Sequence, residues 1–567
     1  MNDIRRIILL VVFFFSVAML WDQWQIYNGR QPTFAPSRAA PTAAAPASNA
    51  SGAAAAAVPG AATATTASAV PGAADASAGT PATPRERITV STDVLRLTFD
   101  SEGGGIVKSE FLKYPTERND PQPVVLLDDS GQRTYLAQSG LIDNVSGAAL
   151  PTHRTPMTFS GPRELPSGAQ DMQIRFESPE TGGVKLVKTY TLKRGAYDIT
   201  VKHEIVNTGS APIKPELYLQ LVRDGTAAPG ATQFYSTFTG PAFYTSAKKY
   251  QKVAFKDIDK GNPDFEPASP DGYVAMVQHY FASAWIAAND TSAHQNFARK
   301  LGDNLYAAGM IVPVGNIAPG ASQTVSNTLF IGPQLEKTLA ALAPGLDLVK
   351  DYGWVTILAK PLYWLLDEIH RFLGNWGWSI VALVLLIKIV FFWLNAKAYT
   401  SMARMKAINP RLMALRENLK DDPAQMQREM MRIYREEKVN PLGGCLPIVV
   451  QIPVFIALYW VLLSSVEMRG APWLGWIHDL SVRDPYFILP VIMTLSTVLQ
   501  TALNPLPPDP MQAKMMWLMP LVFSVMFFFF PAGLVLYWVT NNVLTIAQQA
   551  LINHRMGVPM KINFPKF

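Results

Sequence analysis

From about residue 88, apolar and polar positions alternate in short runs. Leu95, Leu97 and Phe99 form one run. Ile199, Val201, His203 and Ile205 form another, followed by Leu217, Leu219 and Leu221, then Val325, Asn327, Leu329 and Ile331. Turn signals lie between them: Gly103-Gly104-Gly105, Gly182-Gly183 and Asn207-Thr208-Gly209. A period of two with regular turns predicts many short strands, and so an antiparallel β-sandwich over residues 88–345. Near residue 348 the period becomes helical. Val355, Leu358, Leu362, Leu365, Leu366, Ile369, Phe372 and Leu373 fall on one face, with Lys360, Asp367, Glu368 and Arg371 mostly off it. Trp354, Tyr363 and Trp364 are residue types common at membrane interfaces. Residues 346–374 therefore read as an amphipathic helix lying in a membrane surface; the alternative is an ordinary helix packed on the sandwich.

Five long apolar segments follow, at 376–394, 445–463, 486–503, 515–530 and 532–551. The last two abut and are together too long for one crossing of a hydrocarbon core about 30 Å thick. Pro531 and Gly533 supply a break, which predicts a tight helical hairpin. Residues 1–30, with Arg5 and Arg6 before the apolar run from Ile7 to Trp21, read as an uncleaved transmembrane anchor. Residues 31–87, rich in Ala and Pro, have no apolar periodicity and read as a disordered tether. Six spans put both termini in the cytoplasm. The 397–440 connection carries ten Lys/Arg against six Asp/Glu, and the short basic tail at 553–567 carries Arg555, Lys561 and Lys566. Between 466 and 484 the only Lys or Arg residues are Arg469 and Arg483, so the positive-inside rule agrees with that parity and puts the sandwich on the outer side. Within 397–440, Asn409-Pro410 and Asp422-Pro423 each read as a cap followed by proline at the first helical position, with Gln425 able to complete a capping box. The expectation is a cytoplasmic helical hairpin, its second helix packed through Met426, Met430, Ile433 and Tyr434.

Composition narrows the chemistry. The chain has 567 residues, 49% hydrophobic and 16% charged, with a formal net charge of +6 and a single cysteine, Cys445. An intrachain disulfide and a cysteine-built metal cluster are excluded, and the basic residues form no stripe suited to nucleic acid. The sequence has no Walker A, dinucleotide fingerprint or HExxH motif. His203 and Glu204 are strand neighbours on opposite faces, a poor acid/base pair, and His279 reads as structural. What remains is polarity inside the apolar segments: Lys388, then Gln451, then Ser496, Thr497 and Gln500, then Ser524. The last segment carries Thr540, Asn541, Asn542, Thr545, Gln548 and Gln549. Isolated Ser, Thr, Asn and Gln are commonly interhelical glue. An ammonium inside a span needs water or a partner. Lys388 either snorkels toward an interface near Asn395 or lines a wet intramembrane cavity.

Several long motifs carry a resemblance. VNPLGGCLPIVVQIPVFIALYW (439–460), APWLGWIHDLSVRDPYFILPVIM (471–493), DPMQAKMMWLMPLVFSVMFFFFPAGLVLYWVTNNVLTIAQQ (509–549) and YTSMARMKAINP (399–410) resemble the YidC membrane protein insertases. MVQHYFASAW (276–285), TDVLRLTFDSEGGGI (92–106) and YLAQSGLI (135–142) resemble the periplasmic domain of the Gram-negative members. The resemblance implies a bacterial inner-membrane protein that inserts newly made membrane proteins, alone or beside the Sec translocon, with no catalytic residues, cofactor or metal. Its implied fold is mixed: an anchor span plus a five-span helical core over 375–552, with a periplasmic β-sandwich of the supersandwich type that inherits no sugar chemistry. The implied groove is hydrophilic, open to cytoplasm and lipid and closed outward. Its basic residue falls on Lys388, where many relatives have arginine, and Tyr537 and Trp538 match the aromatic pair that lines the substrate slide. Val384, one turn before Lys388, replaces a polar residue usual in some relatives. Gln451, Ser496, Gln500, Asn541 and Thr545 complete the candidate groove. The implied partners are nascent membrane proteins, Sec components, lipids and, transiently, the ribosome; the short tail lacks the long basic extension with which some relatives hold it. A solute transporter and an anchored carbohydrate enzyme are the rivals. The first would favour internal span repeats, and the second needs convergent acid/base residues that the sandwich sequence does not assemble.

Overall fold

Strand pairing follows the predicted alternation. In strand Asp198–Asn207 the residues Ile199, Val201, His203 and Ile205 are buried, and the strand pairs in register with Val184–Lys193 on one side and Ser322–Pro333 on the other. The structure, a computed structural model, describes residues 85–117, 120–143, 149–227, 237–288, 293–419, 422–437, 446–504, 510–555, 557 and 562. The expected anchor, nearly all of the tether, Cys445, the tip of the hairpin and most of the tail lie outside the described residues. The chain forms two compact units that divide between Asp351 and Tyr352.

The first unit is the antiparallel sandwich. Its ten-stranded sheet runs in the order Arg87–Ser91, Leu95–Asp100, Ile106–Glu117, Thr134–Ile142, Glu216–Asp224, Leu305–Pro313, His294–Gly302 and Ala268–Ser269, with two short strands off this path. The nine-stranded sheet is centred on Phe281–Ile286, Ser322–Pro333, Asp198–Asn207 and Val184–Lys193. At the centre the alternation breaks down. In Glu216–Asp224, Tyr218, Gln220 and Val222 are as buried as Leu217, Leu219 and Leu221. One face meets the other sheet; on the opposite face Tyr218 and Val222 join small apolar clusters around Phe297. Gly103 and Gly104 turn the chain between two strands at φ of +76° and +61°, and a Cβ on Gly103 would sit 2.2 Å from the His153 carbonyl oxygen.

Polar side chains tie the two sheets together. The Lys188 ammonium, on the nine-stranded sheet, donates to the carbonyls of Gly103 and Ser139 on the other, each at 2.7 Å. His203 Nε2 lies 2.8 Å from Ser139 Oγ, and the Tyr135 hydroxyl lies 2.7 Å from Ser283 Oγ. Lys188 and His203 are fully buried. Burial pulls the Lys188 amine down to about 7; burial, and then the Lys188 charge, hold His203 well below the usual histidine range. His203 is thus a structural hydrogen-bonding group, and Glu204 points the other way. His279 bonds Thr237 Oγ1 at 2.8 Å, a structural contact as expected.

The second unit is helical: α1 (Thr356–Leu373), α2 (Trp376–Val390), α3 (Phe392–Asn418), α4 (Pro423–Glu436), α5 (Leu446–Ser464), α6 (Ile488–Leu503), α7 (Pro510–Met526) and α8 (Ala532–Arg555). Four expectations change. The amphipathic helix begins at Thr356, after two short 3₁₀ turns, rather than at 346. It packs on α2 and α5 through Ala359, Tyr363 and Leu366, leaving Leu358, Phe372 and Leu373 exposed. The 376–394 segment is two helices, because the backbone turns at Phe391. A helix does not open at Asn409-Pro410; α3 runs straight through Pro410. Ile408 and Leu412 flank that proline and are buried with Ile433 of α4, and this packing carries the helix across the missing N–H. The Asp422 cap is as read, its carboxylate accepting from Gln425 N at 2.9 Å.

The break at Pro531 also forms, but α7 and α8 each pack on α6 rather than tightly on one another. α7 passes into a 3₁₀ turn at Phe527–Phe529 before α8 starts. The Val482 and Leu480 carbonyls accept from the amides of Ala532 (2.7 Å) and Gly533 (2.9 Å). Buried Asp484 holds this connection, accepting from Trp476 Nε1 (3.0 Å), Tyr486 N (3.0 Å) and Leu489 N (2.7 Å) at the start of α6. Among the described residues no helix is long and apolar enough to cross a membrane. The five expected spans are thus not present as five uninterrupted helices: α2, α6 and α7 rise only about 22–26 Å.

Candidate functional site

α8 carries the site. Its polar residues Asn541, Thr545 and Gln548 recur at one helical face, i, i+4 and i+7, while Asn542 and Gln549 occupy the next stripe round. The first stripe meets α2, α3 and α5. Lys388 Nζ donates to Thr545 Oγ1 at 2.8 Å, and that hydroxyl donates to its own helix at the Asn541 carbonyl (2.6 Å). Gln451 Nε2 donates to Asn541 Oδ1 at 2.7 Å, and Asn395 Nδ2 donates to Gln548 Oε1 at 3.3 Å. The second stripe meets α6. Asn542 Nδ2 bridges Ser496 Oγ (3.1 Å) and Thr497 Oγ1 (2.9 Å), and Gln549 Nε2 reaches Asn504 Oδ1 at 3.4 Å.

Lys388 is 8% exposed, and its ammonium ends at a hydroxyl. No described carboxylate lies within ion-pair distance. With Asn395, Gln451, Ile387, Phe391, Leu394 and Val454 it lines a cavity of about 20 Å³, room for a water molecule or so. Neighbouring apolar walls raise the strength of any charge interaction there, because the local dielectric is low. An ammonium has three donors and no acceptor, and Thr545 takes one of them. Among the described residues no group of three or more His, Cys, Asp or Glu could hold a metal ion.

The structure brings Lys388, Gln451, Asn541 and Thr545 into one network. It places Ser496 on the other side of α8, with Asn542. Gln500 is half-buried on α6, and no hydrogen bond to it is described. Tyr537 is buried in the apolar core, stacked on Phe455 at 5.8 Å; Trp538 is half-buried, edge-on to Phe455 at 4.5 Å and tilted on Phe527 at 4.9 Å. These aromatics pack the bundle below the polar network. Val384 is likewise in the core. The sequence reading left Asn395 and Gln548 outside the site. Gln548 could have been found, since it continues the Asn541–Thr545 stripe, and so could Asn395, which lies seven residues, about two helical turns, beyond Lys388.

Two family descriptions match the chain: "YidC periplasmic domain" over residues 87–365 and "60Kd inner membrane protein" over residues 368–558. The chain is 54% identical over 564 residues to the membrane protein insertase YidC of Cupriavidus necator, covering 98% of each chain. It is also 54% identical to that of Ralstonia nicotianae over 564 residues, covering 99% of each. A crystal structure of an active YidC insertase with its first transmembrane domain resolved aligns at 18% identity with a TM-score of 0.36, over 83% of this chain and 92% of that one. Identity above one half along nearly the whole length is decisive: this chain belongs to the YidC family of inner-membrane protein insertases, a family of insertases rather than enzymes.

Proposed function

We propose that this protein inserts newly made membrane proteins into the inner membrane by holding their hydrophilic crossing segments at the polar recess around Lys388. The observation that carries the reading is a buried ammonium bonded to a hydroxyl, with donors to spare and, among the described residues, no carboxylate beside it. Such a group attracts the acidic residues of a crossing segment, and the polar recess around it shortens their path through low dielectric. The apolar part of the client then leaves into lipid, where burial supplies about 25 cal/mol per Å². Lys388 is a docking charge, and Gln451, Asn541 and Thr545 hold it and line its surroundings.

The helical unit is a polytopic membrane core, with the anchor as a sixth span, both termini cytoplasmic and the sandwich periplasmic. Support comes from the exposed apolar side chains along its helices: Leu385 and Ile389 of α2, Val491 and Leu495 of α6, Val522 and Val525 of α7. In pairs three or four residues apart they present continuous apolar surface, which water disfavours and lipid accepts. The broken helices reach across the bilayer together with their 3₁₀ turns and connections. The α3/α4 hairpin receives clients on the cytoplasmic side, where Sec components and the ribosome are transient partners. Depleting the protein from cells and mapping newly made small membrane proteins by protease tests the whole reading: clients should stay accessible on the cytoplasmic side. Normal insertion after depletion would sink it.

A further inference from the structure

Gln548 stands beside the Lys388 network with half of its amide unused. Its oxygen accepts from Asn395 Nδ2, but its amide nitrogen is buried without a hydrogen-bond partner, in a residue only 8% exposed. That nitrogen carries two N–H donors, and buried donors without acceptors are rare in native interiors. Gln548 lies one turn beyond Thr545, the residue that receives Lys388, on the same face of α8. Asn395, its one partner, lines the recess with Lys388. Gln451 differs, because it uses its amide on Asn541.

We propose that Gln548 is a client-binding residue whose amide N–H groups donate to backbone carbonyl oxygens of the crossing segment. This rests on the reading of the recess as the client groove and deepens it: Lys388 recognises acidic side chains, and Gln548 recognises main chain. A segment that enters before it is helical carries carbonyl oxygens with no partner, and every client has them whatever its sequence. A neutral amide is a less costly donor to keep buried than a second cation. Once the segment becomes helical its carbonyls bond internally, Gln548 loses its acceptors, and the segment is free to leave.

The test uses the full-length protein in membrane vesicles, with single-span clients whose crossing segments carry none, few or many acidic residues. A photoreactive residue replaces Gln548 in one variant and Lys388 in another. Position 548 should cross-link to the crossing segment of all three clients, while cross-links from 388 should rise with acidic content. Gln548→Met keeps the shape and removes both polar atoms. It should lower the inserted fraction about fivefold for every client, the effect of losing one neutral hydrogen bond. Asn395→Leu touches only the Gln548 oxygen and should cost less. Cross-links from 548 confined to the chain itself or to lipid, or undiminished insertion by Gln548→Met, overturn the proposal. If Gln548→Met fails to accumulate, the cross-links decide alone. When 388 reaches the client and 548 does not, only the role of Gln548 falls. When neither reaches it, the groove reading falls too.

Discussion

A lysine held against a threonine hydroxyl, with no described carboxylate in reach, gives a graded prediction at the residue scale. Lys388→Arg should insert clients normally, since charge and reach persist. Lys388→Glu should be worst, because it repels acidic segments and is itself costly to bury. Lys388→Ala should fall between, its defect growing with the number of Asp and Glu in the client's crossing segment. Inserted fraction against client charge, at matched protein levels, is the measurement; a flat line for all variants would reduce Lys388 to a structural residue. Lys188 makes a different prediction. Its folded pKa is about 7 against 10.5 for the free side chain, so between those values the unfolded chain binds a proton that the folded chain lacks. Stability of the sandwich should therefore rise as pH rises from about 7 toward 10.5, by a few kcal/mol. Lys188→Met should remove that slope. Thermal unfolding of the sandwich in the whole protein, compared between the two across this window, checks it, and parallel curves would refute it.

At the scale of elements, the α3/α4 hairpin and the Asp484 connection should behave oppositely. The hairpin packs through one narrow apolar strip centred on Ile408, Leu412 and Ile433, and its ion pairs, such as Arg411 with Glu436 and Glu437, are exposed and contribute little. Its amides over 405–435 should exchange with solvent faster than those over 451–462 of α5, whose Ala457, Leu458 and Val461 lie in the main core. Equally slow exchange would show the hairpin docked and rigid. Asp484 accepts three hydrogen bonds while buried. Asp484→Ala should destabilise the helical unit by about 1–3 kcal/mol by leaving those donors unmet, read as a lower melting temperature in detergent; an unchanged one would show that water replaces the carboxylate.

For the whole molecule, each unit has its own core: the helices share one apolar cluster from Tyr352 to Tyr537, and the sandwich closes on its two sheets. Insertion should therefore survive removal of residues 100–300, with α1 kept because it packs on α2 and α5. Complete loss of insertion at normal membrane levels would show that the sandwich takes part in the work.

Periodicity alone determined much of this protein. Alternation such as Ile199–Ile205 places strands because side chains on a pleated strand repeat every two residues, and Asp422-Pro423 starts a helix through local hydrogen bonding. Lys388 stood out because a charge in an apolar run has few acceptable fates. Tertiary structure decided what depends on packing across the chain. Pro410 lies inside a helix because α4 packs on both sides of it. Tyr218 and Val222 are buried because apolar side chains cover the second face of their strand. Asn395 meets Gln548 because α3 packs against α8, and Tyr537 lies in the core because Phe455 stacks on it. In each case the local pattern permits more than one outcome, and contacts between residues distant in sequence select one.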